Sequence, residues 1–322
     1  MLPILSLLLA AMLVLQSCGK ETADSTAAVV RQSAEPGKLR IGYSGNSALI
    51  GLKARGSLEQ KLAAAPAGKE VAVEWRAFPD EASLFRAAEE GRVDIGAVGG
   101  AVPAFLHRDA APLVYLAVEP ANPAAYAIVT PLDSDIFELA DLKGRRVAYA
   151  PFTNEHALLL TALETAGLKS SDVKGEQIVP ADIYSSISAR KADVWVVGEP
   201  ELSRIEALGI RVVADGSIAP SQRDIYLTTP ESLEGREELF ALALDEISAY
   251  DDWVGEQFHD AAELLFLQTG ILHAEWLASF ERKPYGTAPL LEGIVKQEQA
   301  AANEIARLGG RKHAVDIGSF IR

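Results

Sequence analysis

The loop Ala150-Pro151-Phe152-Thr153-Asn154-Glu155-His156 sits between a β-like run and a helical one. Thr153 and Asn154 are side chains favoured at the start of a helix. There a hydroxyl or amide satisfies N–H groups that have no intrahelical partner. An anion placed at that point meets free backbone donors and the positive end of the helix dipole. Ser44, Asn46 and Ser47 form a second polar loop after another β-like run, able to donate to an oxygen from the opposite side. Gly99 and Gly100 end a third such run and permit close backbone approach. The chemistry these residues suit is recognition of an oxyanion by neutral donors. Taken alone, Thr153 and Asn154 suit an ordinary capped helix better than an anion site, and Ser44, Asn46 and Ser47 suit a plain turn equally well.

No catalytic set accompanies them. His107, His156, His259, His273 and His313 are scattered, without the His-Glu-x-x-His spacing of a metal site. There is no Gly-x-Ser-x-Gly nucleophile motif and no phosphate-binding glycine fingerprint. The pairs Asp251-Asp252 and Glu237-Glu238 read as solvated helix faces. The expectation is a binding protein with no enzymatic activity, cofactor or metal. A net charge of -15 argues against nucleic acid, which needs a basic footprint.

Positioning such loops takes strands and helices in alternation. Leu39–Tyr43, Val71–Trp75, Val93–Val98, Leu113–Ala117 and Tyr126–Val129 read as strands, with helices over 48–62 and 80–90. A second unit begins near Pro131. It has strands at Arg146–Ala150, Val194–Val197 and Arg211–Ala214, and a helix over 155–166 stopped by Gly167. Ile225–Thr228 is one more strand, and 232–308 is helical with breaks near Gly270 and at Pro284. Strands alternating with helices predict an α/β architecture with parallel sheets.

The N-terminus addresses the compartment. Leu2–Leu15 is almost wholly apolar but shorter than the roughly 20 residues needed to span a bilayer, and it fits the apolar centre of a secretory signal. It runs into Leu15-Gln16-Ser17-Cys18, which looks like a bacterial lipobox, and Cys18 is the single cysteine of the chain. Residues 1–17 are expected to be a signal peptide, Cys18 the lipidated residue, and 18–37 a polar, Pro/Gly-containing tether.

Several segments together resemble the aliphatic-sulfonate and taurine branch of periplasmic solute-binding proteins, within the wider nitrate/sulfonate/thiamine-pyrimidine group. They include Leu52-Lys53-Ala54-Arg55-Gly56-Ser57-Leu58-Glu59, Ala140-Asp141-Leu142-Lys143-Gly144-Arg145-Arg146-Val147-Ala148, Ala192-Asp193-Val194-Trp195, Glu199-Pro200 and Arg282-Lys283-Pro284-Tyr285-Gly286. Their order and spacing cover about 39–317. The resemblance implies a two-lobed type II periplasmic binding protein with a discontinuous first lobe (38–130 plus 217–322) and a hinge-connected second lobe (131–216). It implies a monomer that captures a small anion, an alkyl sulfonate first, and delivers it to an ABC permease in the inner membrane. Nitrate, a pyrimidine or an aromatic acid are alternative ligands. A ligand sensor or an enzyme on the same fold are alternative roles. The resemblance also brings in His156 after the helix-start loop, Trp195 as a pocket wall and Glu199 as an orienting carboxylate. It marks Gly100 and Gly198 as small residues where the family carries an acid and an aromatic. Both were expected to widen the cleft for a ligand bulkier than taurine.

Overall fold

The computed structural model of the chain describes residues 35, 37–45, 47–109 and 111–321. The expected signal peptide (1–17), the lipidation site Cys18, nearly all of the tether (18–37) and Asn46 lie outside the described residues.

The strands form two sheets of five, each with its own helices. In the first sheet the order is β2 (Ala72–Phe78), β1 (Lys38–Ser44), β3 (Ile95–Gly99), β10 (Asp224–Thr228), β4 (Val114–Val118). In the second it is β7 (Lys174–Gln177), β6 (Arg146–Tyr149), β8 (Val194–Gly198), β5 (Tyr126–Pro131), β9 (Ile210–Asp215). The arrangements match strand for strand. Three strands run parallel, and the fourth, the one that follows a crossing between sheets, is antiparallel to both its neighbours. The helices are α1 (Leu49–Arg55), α2 (Ser57–Ala64), α3 (Glu81–Glu89), α4 (Ala101–Leu106), α5 (Asn154–Thr165) and α6 (Ile183–Ser188). They continue as α7 (Glu201–Glu206), α8 (Pro230–Leu233), α9 (Glu237–Glu256), α10 (Phe258–Thr269), α11 (His273–Arg282) and α12 (Glu292–Arg307).

Alternation along the strands builds a core on each face of each sheet. Leu39 and Ile41 meet Leu52, Phe240 and Tyr250 on one side of the first sheet, while Val98, Ile225 and Leu227 meet Phe85, Val102 and Ile305 on the other. In the second sheet Val194 and Val196 face Leu158 and Leu163, while Trp195 and Val197 face Ile187 and Ile205. Helix α5 serves both lobes. Its Leu158, Leu159 and Leu163 pack under the second sheet, while Ala157 and Leu160 pack into a core of the first. A helix apolar on two sides is one covered on two sides.

An Arg–Asp pair repeats with the topology. Arg40 on β1 binds Asp94, just before β3, through its backbone N–H (2.7 Å), Nε (3.1 Å) and Nη2 (2.8 Å). Arg146 on β6 binds Asp193, just before β8, through the same three groups at 2.9, 3.3 and 2.7 Å. The first pair is sealed by Arg236, whose Nη1 lies 3.0 Å from Asp94 Oδ1, and both its side chains are 0% exposed. In the second, Arg146 is 41% and Asp193 33% exposed.

Three expectations change. The helix over 48–62 is two helices, because Gly56 takes the left-handed conformation (φ 66°) between α1 and α2. The strand 126–129, assigned from sequence to the first lobe, pairs between β8 and β9 in the second sheet, so the boundary at 130 falls within β5. Which sheet a strand joins depends on partners distant in sequence, and local pattern cannot reveal it. Asp251 is 2% exposed, although its neighbour Asp252 is exposed, so the pair is not a solvated face as a whole.

Candidate functional site

A cavity of about 620 Å³ opens between the two sheets. It is walled by segments beyond the carboxyl ends of β1, β2, β6, β7 and β8, where α/β sheets bind ligands. Ser44, Gly45 and Ser47 line it from one lobe together with Asp80 and Glu81, which begin the α3 turn. Ala150–Glu155, Ile178–Ala181, Tyr126 and Glu199 line it from the other, and Asp224 from the start of β10.

Of the residues singled out from sequence, Ser44, Ser47, Thr153, Asn154 and Glu199 line this cavity. Thr153 stands at the start of α5 but does not cap it with its side chain. Its hydroxyl donates to the Ala150 carbonyl (2.9 Å) and so fixes the loop instead. Asn154 reaches across the lobes. Its Oδ1 accepts from the Ala101 N–H (3.0 Å), and its Nδ2 donates to the Tyr126 hydroxyl (3.0 Å) and the Arg223 carbonyl (3.3 Å). Glu199 accepts from the Ser203 hydroxyl (3.0 Å) and from Arg282 of α11 (2.5 Å), another link between the lobes.

Gly99, Gly100, His156 and Trp195 stand outside the cavity wall, each for a packing reason. At Gly99 a Cβ would lie 2.9 Å from the Asn154 amide, so this glycine is what lets Asn154 dock. His156 is wedged between lobes, stacked on Phe105 (4.6 Å, 5°) and accepting from the Phe152 N–H at Nδ1 (3.2 Å). Burial lowers its pKa to about 4, so the ring is neutral at physiological pH. Phe152, held by that bond, takes φ 65°, a left-handed conformation uncommon outside glycine. Trp195 is 1% exposed in the second-lobe core, its Nε1 donating to Ser186 Oγ (2.9 Å), so it is packing rather than a pocket wall.

The two small residues do not open space. A Cβ at Gly198 would come within 2.7 Å of Glu155 Oε1 and near the Tyr126 ring, and one at Gly100 within 2.7 Å of Glu298 Oε2. Both places are already filled, and both by carboxylates. The expected widening is therefore absent.

The sequence reading missed the acidity of the cleft. Asp80, Glu81, Glu155, Glu199, Glu201 and Asp224 line it, and no lysine or arginine does so among the described residues. Burial, with Asp224 and Glu155 nearby, pushes the Glu81 carboxyl well above the usual range, and burial also raises Glu155. Burial and the Glu119 carboxylate push Asp224 up to about 7. Glu81 could have been found by the rule that picked the other loops, since it follows the end of β2. Asp224 could not, because its place depends on where the chain returns. What an anion can use in this cleft is the first turn of α5, whose leading N–H groups have no intrahelical acceptor. Among the described residues no cluster of three His, Cys, Asp or Glu could hold a metal, and no helix is long and apolar enough to cross a membrane.

The NMT1/THI5-like family model matches residues 67–245. An aliphatic sulfonates-binding protein of Escherichia coli (strain K12) is 31% identical over 283 residues, 87% of this chain and 86% of that one. The crystal structure of the periplasmic aliphatic sulphonate binding protein SsuA from Escherichia coli superposes with a TM-score of 0.78 at 28% identity, covering 89% of this chain and 92% of that one. The alkanesulfonate-binding protein SsuA from Xanthomonas axonopodis pv. citri, bound to MOPS, gives 0.81 at 25% identity, covering 90% and 99%. Two sheets of matched topology, a cleft between them and relatedness over most of the length converge: the chain belongs to the NMT1/THI5-like family, among the relatives of the periplasmic aliphatic sulfonate-binding proteins.

Proposed function

We propose that this protein is the extracytoplasmic substrate-binding component of an ABC importer and that it captures an alkyl sulfonate in the cleft. The observation that carries the reading is the 620 Å³ cavity at the strand ends of both sheets, with the first turn of α5 in its wall. A sulfonate there replaces its lost water with backbone N–H groups and the helix dipole, without needing a cationic side chain. Ser44 and Ser47 approach from the opposite lobe. The lobes close on the ligand about the crossings 119–125 and 216–223.

Calorimetry of the chain against ethane-, propane- and butanesulfonate, with nitrate, sulfate, carboxylates and a pyrimidine as competitors, tests this. Sulfonate binding with a Kd in the micromolar range or tighter is expected. Tighter binding of nitrate, a carboxylate or the pyrimidine defeats the sulfonate assignment. The same reading places the protein at the outer face of a membrane, anchored by lipid on Cys18. A fatty-acid probe is then expected to label the wild-type chain and not Cys18→Ala. Label retained by the variant refutes the anchor.

A further inference from the structure

A sulfonate keeps its negative charge at every physiological pH, and its oxygens only accept hydrogen bonds. Six carboxyl groups line the cleft, with no lysine or arginine in its wall among the described residues. Ionised, each opposes an anionic ligand as like charge and as acceptor against acceptor. Protonated, a carboxyl is neutral and offers an O–H donor.

The six differ in how firmly their charge is held. Glu199 is ion-paired with Arg282 and accepts from Ser203. Asp80 accepts the Ser83 N–H (2.7 Å), and Glu201 is partnered too. Glu155 is bonded by its own backbone N–H in the first turn of α5, and Asp224 has the Lys283 ammonium behind it. Glu81 has the weakest hold. Its Oε1 accepts from the Gly99 N–H at 3.2 Å, and among the described residues it has no salt-bridge partner. The charged groups facing it are all acids: Asp80 on its own turn, Asp224 on β10 and Glu155 on α5. The Tyr126 hydroxyl of β5 stands beside Glu81, Glu155 and Asp224 and is kept neutral by burial. Glu119 and Lys283 act on Asp224 from its far side. Glu81 belongs to the first lobe and the start of α5 to the second, and both line one cavity. A sulfonate seated on α5 therefore meets Glu81 across the cleft.

Resting on the sulfonate reading above, we propose that Glu81 binds the ligand as a neutral carboxylic acid, donating its O–H to a sulfonate oxygen from the lobe opposite α5, so that capture is coupled to proton uptake. Burial and the neighbouring acids already raise this carboxyl, and the charge of the ligand raises it further. The neutral form persists below the raised value and is lost above it. Affinity is thus full on the acid side and falls with rising pH, by at most tenfold per unit for one proton.

The test is calorimetry of the full-length chain with propane-1-sulfonate from about pH 6 to about pH 9. The buffers are amines such as Bis-Tris and Tris, because sulfonic-acid buffers would compete. Wild type is expected to bind at least about tenfold more weakly at the alkaline end. Runs at one alkaline pH in buffers of different ionisation enthalpy are expected to show up to one proton taken up per ligand. Glu81→Gln keeps a donor and cannot titrate, so its affinity is expected to stay constant across the range and to exceed that of wild type at pH 9, with no proton uptake. Glu81→Leu, which has no donor, is expected to bind about ten- to a hundred-fold more weakly than wild type at pH 6. Circular dichroism melts verify that both variants fold. Wild-type binding that is flat with pH and takes up no proton overturns the proposal while leaving the sulfonate reading intact. A pH dependence that survives in Glu81→Gln assigns the proton to another carboxyl and overturns it as well, as does wild-type affinity in Glu81→Leu. If propane-1-sulfonate binds at no pH, the sulfonate reading fails and this one with it.

Discussion

Asp94→Asn is expected to lower stability by about 3–5 kcal/mol, and the melting temperature by on the order of 10 °C. Asp193→Asn, the same change in the same motif of the other sheet, is expected to cost about 1 kcal/mol or less. The difference lies in burial and in the second guanidinium, Arg236, that Asp94 holds. Asp94 and Arg40 are 0% exposed, so removing the carboxylate charge leaves one guanidinium sealed in the core and a second, Arg236, stripped of its partner. Arg146 and Asp193 are partly exposed, and water takes over when their pair is broken. The pair also gives the protein an acid limit. Burial by itself would raise the Asp94 carboxyl, but its bonds to Arg40 and Arg236 outweigh that and hold it below the usual range. A depressed carboxyl contributes stability that is complete above its unfolded pKa, about 3.9, and is lost as pH falls through the lower folded value. Thermal melts of both variants by circular dichroism, from neutral pH to about 3, check this. Equal losses at the two sites contradict it.

Asn154→Ala is expected to weaken sulfonate binding by about 30- to 100-fold, and Gly99→Ala by about tenfold or more. Besides a bond to Tyr126 within its own lobe, Asn154 makes two hydrogen bonds that span the lobes, to Ala101 and Arg223. Each contributes about 1 kcal/mol to the closed form. When the closed form is less populated, apparent affinity falls by the same fraction. Asn154 also lines the cleft, so its loss alone does not separate ligand contact from closure. Gly99 does separate them, since it lies outside the cavity wall while its added Cβ would strike the Asn154 amide. Small-angle scattering of both unliganded variants is expected to show a larger radius of gyration than wild type. Wild-type affinity and radius in Gly99→Ala would refute the clamp.

Much of this architecture was legible in the residues. The short, wholly apolar run Val194-Trp195-Val196-Val197 marks β8, and Gly167 after an apolar periodic stretch stops the helix that is α5. The helix-start loop was found because capping residues follow a strand. Its neighbours were harder. Thr153 and Asn154 have the right types for a cap, yet both side chains are spent elsewhere, one on its own loop and one on the facing lobe. Propensity names what a residue can do locally, and tertiary partners decide between options. Trp195 shows the same limit, since a tryptophan on a buried strand can face a pocket or a core and the sequence is the same either way. Asp251 reads from sequence as part of a solvated helix face, and only the tertiary packing of α9 buries it. The acidity of the cleft was invisible because its carboxylates come from segments spread between residues 80 and 224.

The placement of β10 has a consequence for the order of events after synthesis. All five strands of the second sheet fall within residues 126–215, so that lobe can close as soon as its own stretch has emerged. The first sheet cannot, because β10 joins β3 to β4 and arrives only at residue 224. The lobe that begins the chain is therefore the later one to finish, and until then β3 and β4 present open edges suited to wrong pairing. Pulsed hydrogen exchange during refolding is expected to protect β6 and β8 before β3 and β4. Simultaneous protection of both sheets would show that they fold as one unit.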